Sequence, residues 1–333
     1  MHRSIKLTSV AGALCAALLA GTAHAQEVLR LGGVIYGDHS SVRAINEIFV
    51  PEVEAGTEGR YTVEIYSNAE LGGNAEIVQQ TRNGTIFGAF VSGAWISSYV
   101  PEIGASGLPF LFETREDAFR AFDGEAGAPI RTAMEDAGFE PLGFMELGFR
   151  HLTTSSKLVE TPEDLDGMRI RLQSNPVHMD TFRLLGANPV QIDGGELFAA
   201  LNQGVADGQE NPYSVISMFR LNEARQTYLT ETGHFYDILT FIGSKQMLDE
   251  MDEADRDVIL DAAARTTELQ RQYAAEEEVE FKADLLEKGV QMISLTDEQR
   301  AAFQEATAPL YDTVAEELGR EFVDEFVAAA RGE

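Results

Sequence analysis

Cysteine is almost missing from this chain of 333 residues: its one copy, Cys15, lies in an apolar N-terminal stretch. Thiolate-held zinc, disulfide frameworks and cysteine nucleophiles are therefore excluded from everything after that stretch. Positive charge is scarce as well, with 25 Lys and Arg against 55 Asp and Glu and a formal net charge of −30. Such a polyanion repels phosphate backbones and anionic lipid surfaces, which argues against nucleic acid and membrane surfaces as partners. Beyond the N-terminal stretch no apolar run approaches the roughly 18 residues a membrane-spanning helix needs. Catalytic fingerprints are missing too. There is no HExxH, no GxSxG and no dinucleotide fingerprint, and Gly32–Gly37 is followed by Asp38-His39 where a phosphate loop needs Lys-Ser/Thr. His39, His151, His178 and His234 are never spaced i, i+4, so neither a metal nor a cofactor is expected.

What is present begins with a leader. Arg3 and Lys6 precede the apolar run Leu7–Ala20, and Ala23-His24-Ala25 has the small-x-small pattern of a cleavage site. Residues 1–25 read as a secretory signal peptide, with Gln26 as the new N-terminus and the periplasm as destination. Leu14, before Cys15, argues against a lipoprotein signal.

From there, short apolar runs alternate with amphipathic stretches, the pattern of an α/β fold. Val28–Leu31, Tyr61–Tyr66 and Phe87–Val91 read as strands, with weaker strand signals at Leu142–Phe144 and Leu152–Thr154. Ser40–Glu54, Asn74–Arg82, Val177–Leu185, Glu196–Asn202 and Tyr213–Leu221 read as helices. Thr161-Pro162-Glu163-Asp164 opens a capped turn. Met168–Leu172 alternates as a strand that puts Arg169 and Arg171 on one face. Between Ser244 and Lys288 there is neither glycine nor proline. A helix of that length outreaches one small domain. Val290–Leu295 returns to strand, and Thr296-Asp297-Glu298-Gln299 fits a capping box.

Against so acidic a background, Arg150 and Arg171 stand out. A guanidinium offers a planar fork that grips a carboxylate with two hydrogen bonds. Facing one cleft, these two would clamp an organic anion; the alternative is that they pair with the chain's own acids. Asn211, before Pro212, either caps a helix or turns its amide to a ligand.

Several segments resemble one family. Asp164-Leu165-Asp166-Gly167-Met168-Arg169-Ile170-Arg171 is similar to its "DLKGLKIR" motif, Leu185–Val190 to "LGANPVP", and Ala206–Pro212 to "VDGQENP". Leu108–Phe112 and Thr232-Gly233-His234 are similar to "LPFLF" and "TGH". In this order they resemble the extracytoplasmic solute receptors of tripartite ATP-independent periplasmic (TRAP) transporters. The resemblance implies a two-lobed α/β periplasmic-binding-protein fold with a central cleft and a long lobe-spanning helix. Lobe I would comprise residues 26–149 plus about 237–275, and lobe II residues 150–236 plus about 276–333. It also implies a non-enzymatic, monomeric receptor that captures a sugar acid, uronate or C4-dicarboxylate and delivers it to membrane permease subunits.

By motif, Arg171 matches the family's bidentate carboxylate contact, Arg150 a second ligand-facing arginine, and Asn211 a ligand-reaching amide. Asn74, Glu76, Ser92, Asp38, His39, Gln173, Asn175 and Tyr213 are further expected contacts. Two positions depart from the family: Gly194 stands where many members carry Phe, and Leu147 where sugar-acid receptors often carry Asn. Trp95 fits either an aromatic wall or the core. Two rival readings remain at this stage, a secreted hydrolase with paired carboxylates and a receptor that feeds a signalling protein.

Overall fold

The computed structural model describes residues 26–35 and 37–333; the expected signal peptide lies outside the described residues. Nine strands form one mixed sheet: β1 (Glu27–Gly32), β2 (Tyr61–Tyr66), β3 (Gly88–Ser92), β4 (Phe139–Thr154), β5 (Arg169–Leu172), β6 (Asn188–Gln191), β7 (Gly208–Asn211), β8 (Tyr228–Ser244) and β9 (Gln291–Ser294). Their order is β2-β1-β3-β8-β4-β7-β5-β6, with β9 beside β8.

Two parallel groups, β2-β1-β3 and β7-β5-β6, flank a central antiparallel pair, β4 and β8. These two strands have 16 and 17 residues. They are long because they run through both halves of the molecule. Register shifts at Pro141/Gly143, Glu146/Gly148 and Arg150/Leu152 bend β4 as it crosses.

The helix Glu253–Glu287 packs along β4. Its 35 residues give about 52 Å of rise at 1.5 Å each. Gln270 ties it to the β4 bulge in both directions: Nε2 donates to the Glu146 carbonyl and Oε1 accepts from the Glu146 N–H, each at 2.7 Å. At Gly143 the approach is closer still, since a Cβ there would lie 2.1 Å from Thr267 Oγ1.

Most local readings match the structure. Tyr61–Tyr66 and Asn74–Arg82 have the expected ends. Thr296 and Gln299 form the expected capping box. The Ser40 helix breaks into α, π and α turns, Ser40–Ala44, Ile45–Phe49 and Val50–Gly56. The two weak signals around Leu142 and Leu152 are one strand, β4. Asn211 closes β7, and Pro212 takes the N-cap of the helix Tyr213–Met218; the expected cap role of Asn211 is thus corrected. Among the described residues no helix is long and apolar enough to cross a membrane.

Candidate functional site

Parallel strands place their carboxyl ends, and the loops that follow, at one place, where α/β sheets bind ligands. Here the ends of β1 and β3 meet those of β5 and β7. Ser92 is the last residue of β3 and Asn211 the last of β7. Arg171 stands next to the end of β5, and Gln173 follows it. The cavity between them measures about 40 Å³ and is lined by Asn74, Ser92, Arg171, Gln173 and Asn211 on its polar side. Apolar residues, among them Phe90, Trp95, Leu147 and Leu197, form the remainder.

Arg171 is 2% exposed. Its Nε donates to the Ile192 carbonyl at 2.8 Å, and among the described residues neither Nη has an acceptor. Burial pushes the guanidinium down to about 10, partly offset by Glu210, so it stays charged at neutral pH. The cavity is therefore walled by a cation whose planar fork the protein leaves open.

Arg150 is used differently, which corrects the expectation of a two-arginine clamp. Its Nη2 donates to Glu210 Oε1 at 2.9 Å, to the Glu210 carbonyl at 2.7 Å and to Asn211 Oδ1 at 3.0 Å. Nε also bonds Glu210, and Nη1 bonds Asp237 at 2.5 Å. Burial alone would lower its pKa, but the Glu210 and Asp237 carboxylates more than reverse this and raise it. For Glu210, burial acts upward and Arg150 overrides it, leaving the carboxyl well below the usual range. Asp237 goes the other way, raised by burial that Arg150 and Ser92 only partly offset. The cluster lies behind the cavity and orients its lining: Ser92 Oγ donates to Asp237 at 2.7 Å, and Asn211 is held between Arg150 and Gln209.

The other expected contacts divide. Asn74, Ser92, Gln173 and Asn211 line the cavity with Arg171. Asp38 and Glu76 are exposed and do not line it. Asn175 caps the helix Pro176–Leu184, accepting from the Val177 and His178 N–H groups at 2.9 and 3.3 Å. His39 caps the helix at Ser40 and, with Tyr213, lines a separate cavity of about 20 Å³ beside Glu146 and Glu277. Tyr213 donates to Glu231 at 2.6 Å. Asn175, His39 and Tyr213 answer to local structure because each has a nearer partner than the cleft.

Sequence reading missed Asp193, Glu210 and Asp237. Asp193 accepts from the Asn74 N–H at 3.1 Å and from Gly195 N–H at 3.0 Å, joining the two sides of the cleft. Among so many acids Asp193 and Asp237 carry no signal of their own, whereas Glu210 lies inside the Ala206–Pro212 motif. Among the described residues no cluster of His, Cys, Asp or Glu could hold a metal ion.

Comparison with known proteins agrees with this geometry. Residues 33–318 match the model of bacterial extracellular solute-binding protein, family 7. A solute-binding protein of Verminephrobacter eiseniae is 34% identical over 309 residues, covering 92% of this chain and 91% of the relative. The sugar acid binding protein of Advenella mimigardefordensis, solved with galactonate, is 30% identical with a TM-score of 0.88 over 92% of this chain and 98% of that one. A TRAP periplasmic solute-binding protein of Ralstonia eutropha, solved with (S)-2-acetolactate, is 29% identical with a TM-score of 0.86 over 92% and 99%. The chain belongs to this solute-binding family, whose members bind small organic acids as two-lobed α/β receptors.

Proposed function

We propose that this chain is the periplasmic receptor of a TRAP transporter. It takes up an organic acid in the cleft, closes over it, and hands it to membrane permease subunits without chemical change. The observation that carries the reading is Arg171, a buried guanidinium that lines the cavity and whose two Nη groups, among the described residues, bond to no acid. A buried cation without a full set of partners is costly. A ligand carboxylate supplies both the counter-charge and two acceptors in fork geometry.

Closure brings together groups from both lobes. Asn74 and Ser92 stand on one side, Arg171, Gln173 and Asn211 on the other. We place the hinge where β4 and β8 cross, near the Gly148–Asp237 pair. The ligand favours the closed form because it bonds the two sides at once. The galactonate and acetolactate of the two solved relatives each carry a carboxylate beside an oxygen-bearing carbon, which supports a carboxylate on Arg171. The leader at residues 1–25 supports export to the periplasm.

A thermal-shift screen over organic acids, followed by calorimetry, tests the reading. At 100 times its dissociation constant a cognate acid adds about 2.7 kcal/mol to stability. Arg171→Lys should remove most of that shift, because an ammonium cannot reproduce the fork. An unchanged affinity in this variant overturns the assignment.

A further inference from the structure

The lining narrows the ligand class, an inference that rests on the proposed receptor function and deepens it. Most polar atoms of the cavity are already committed. The Ser92 hydroxyl donates to Asp237 at 2.7 Å, and Asn211 Oδ1 accepts from Arg150 at 3.0 Å. Gln173 Oε1 stands 3.2 Å from the same Ser92 hydroxyl, whose one proton goes to Asp237 at the shorter distance. What the described side chains leave for a ligand is three donor groups, both Nη of Arg171 and Nε2 of Gln173, against two amide acceptors, Gln173 Oε1 and Asn74 Oδ1.

The remaining side chains of the lining are apolar. Val34, Phe90, Leu147, Leu197 and Val215 offer no hydrogen-bonding side-chain group, and Trp95 offers only an N–H. A polyol acid would bring several hydroxyl donors to these side chains. Each buried hydroxyl without an acceptor costs roughly ten- to a hundredfold in affinity. A second carboxylate fares no better. Among the described residues lining the cavity Arg171 is the one cation, and Arg150 is consumed by Glu210 and Asp237.

Size points the same way. The cavity is small, about 40 Å³, which favours a short acid over a six-carbon polyol.

We infer that the ligand is a short 2-oxo or 2-hydroxy monocarboxylate with an alkyl body, its carboxylate on Arg171, its 2-oxygen on Gln173 Nε2 and its alkyl group against Trp95 and Leu147. Leu147 is then a specificity residue. It faces the cavity from the β4 bulge, where an amide would offer hydroxyls both an acceptor and a donor.

Calorimetry on the full chain with 2-oxoisovalerate, galactonate and succinate tests this. The expected result is binding of 2-oxoisovalerate about 100-fold or more tighter than the other two. Leu147→Asn should weaken 2-oxoisovalerate roughly tenfold and narrow its advantage over galactonate. Galactonate or succinate binding as tightly as 2-oxoisovalerate overturns the ligand class and leaves the receptor function standing. Failure of all three, together with no response to any organic acid in the thermal screen, overturns the receptor function itself. The wild-type panel decides the class even where the Leu147 variant does not fold.

Discussion

Arg150 and Glu210 meet fork to fork with neither side chain exposed, a bidentate ion pair closed on its far side by Asp237. Among the described residues the neighbouring arginine, Arg171, has no such acid. Two guanidinium groups of one chemistry are thereby given different work. One neutralises buried carboxylates and holds the frame; the other is left for a ligand.

Arg150→Met should therefore cost the fold. It strands Glu210 and Asp237 without their cation, and breaking one partner of a buried pair costs about 3–5 kcal/mol. Urea unfolding should show the loss in unliganded protein.

Arg171→Met should do the reverse. It removes a desolvated cation that, among the described residues, has a single backbone acceptor. Stability without ligand should hold or rise, while affinity for the cognate acid falls by about 100-fold or more. Unfolding and calorimetry on the same preparation separate the two arginines.

Glu146 should make the protein less stable as pH rises through the acid range. Burial raises its carboxyl to about 7, against the pull of Arg115. Between the unfolded value near 4.5 and 7 the native state holds a proton that the unfolded chain has lost. The contribution is thus full below 4.5 and gone above 7. Glu146→Gln should flatten this part of the profile and gain most above pH 7, measured as urea midpoints across pH.

The buried histidines act with the opposite sign. Burial lowers His39 to about 4 and His178 to about 3, so the unfolded chain, at 6.5, takes up protons first. Their contribution is lost as pH falls from 6.5 toward those values. His178→Gln should lose less stability than the parent chain between pH 6.5 and 4, by the same unfolding measurement.

Gly143→Ala tests the contact between the long helix and β4. The new methyl would meet the β-branched Thr267, which cannot swing away freely. Overpacking of this kind costs about 1–3 kcal/mol. Thr267→Ser, placed on top, should recover little because Oγ remains, and Thr267→Ala should recover more.

Local structure was readable where one face is polar or an end is punctuated. Tyr61–Tyr66 alternates, Asn74–Arg82 stops at Asn83-Gly84, and Thr296 announces its helix. The central pair was not readable. β4 carries Pro141, Gly143 and Gly148 and shifts register three times. β8 is buried along nearly all its length, so it shows no alternation, and Gly233 interrupts it with φ of 53°. These strands are made by pairing with each other, between partners 74 to 105 residues apart.

By itself the order of residues pointed to the class of molecule: an acidic chain with an α/β alternation, one helix long enough to outreach a small domain, and motifs that put an arginine at the end of a strand. It also settled which residue types could meet an anion. Which arginine stays open was decided by the fold alone. Glu210 and Asp237 lie 60 and 87 residues from Arg150, and only the crossing of β4, β7 and β8 presses them against it. Charge pairing acts through space and is felt only once distant strands lie side by side; in a chain with 55 acids, spacing along the sequence could not name the two that matter.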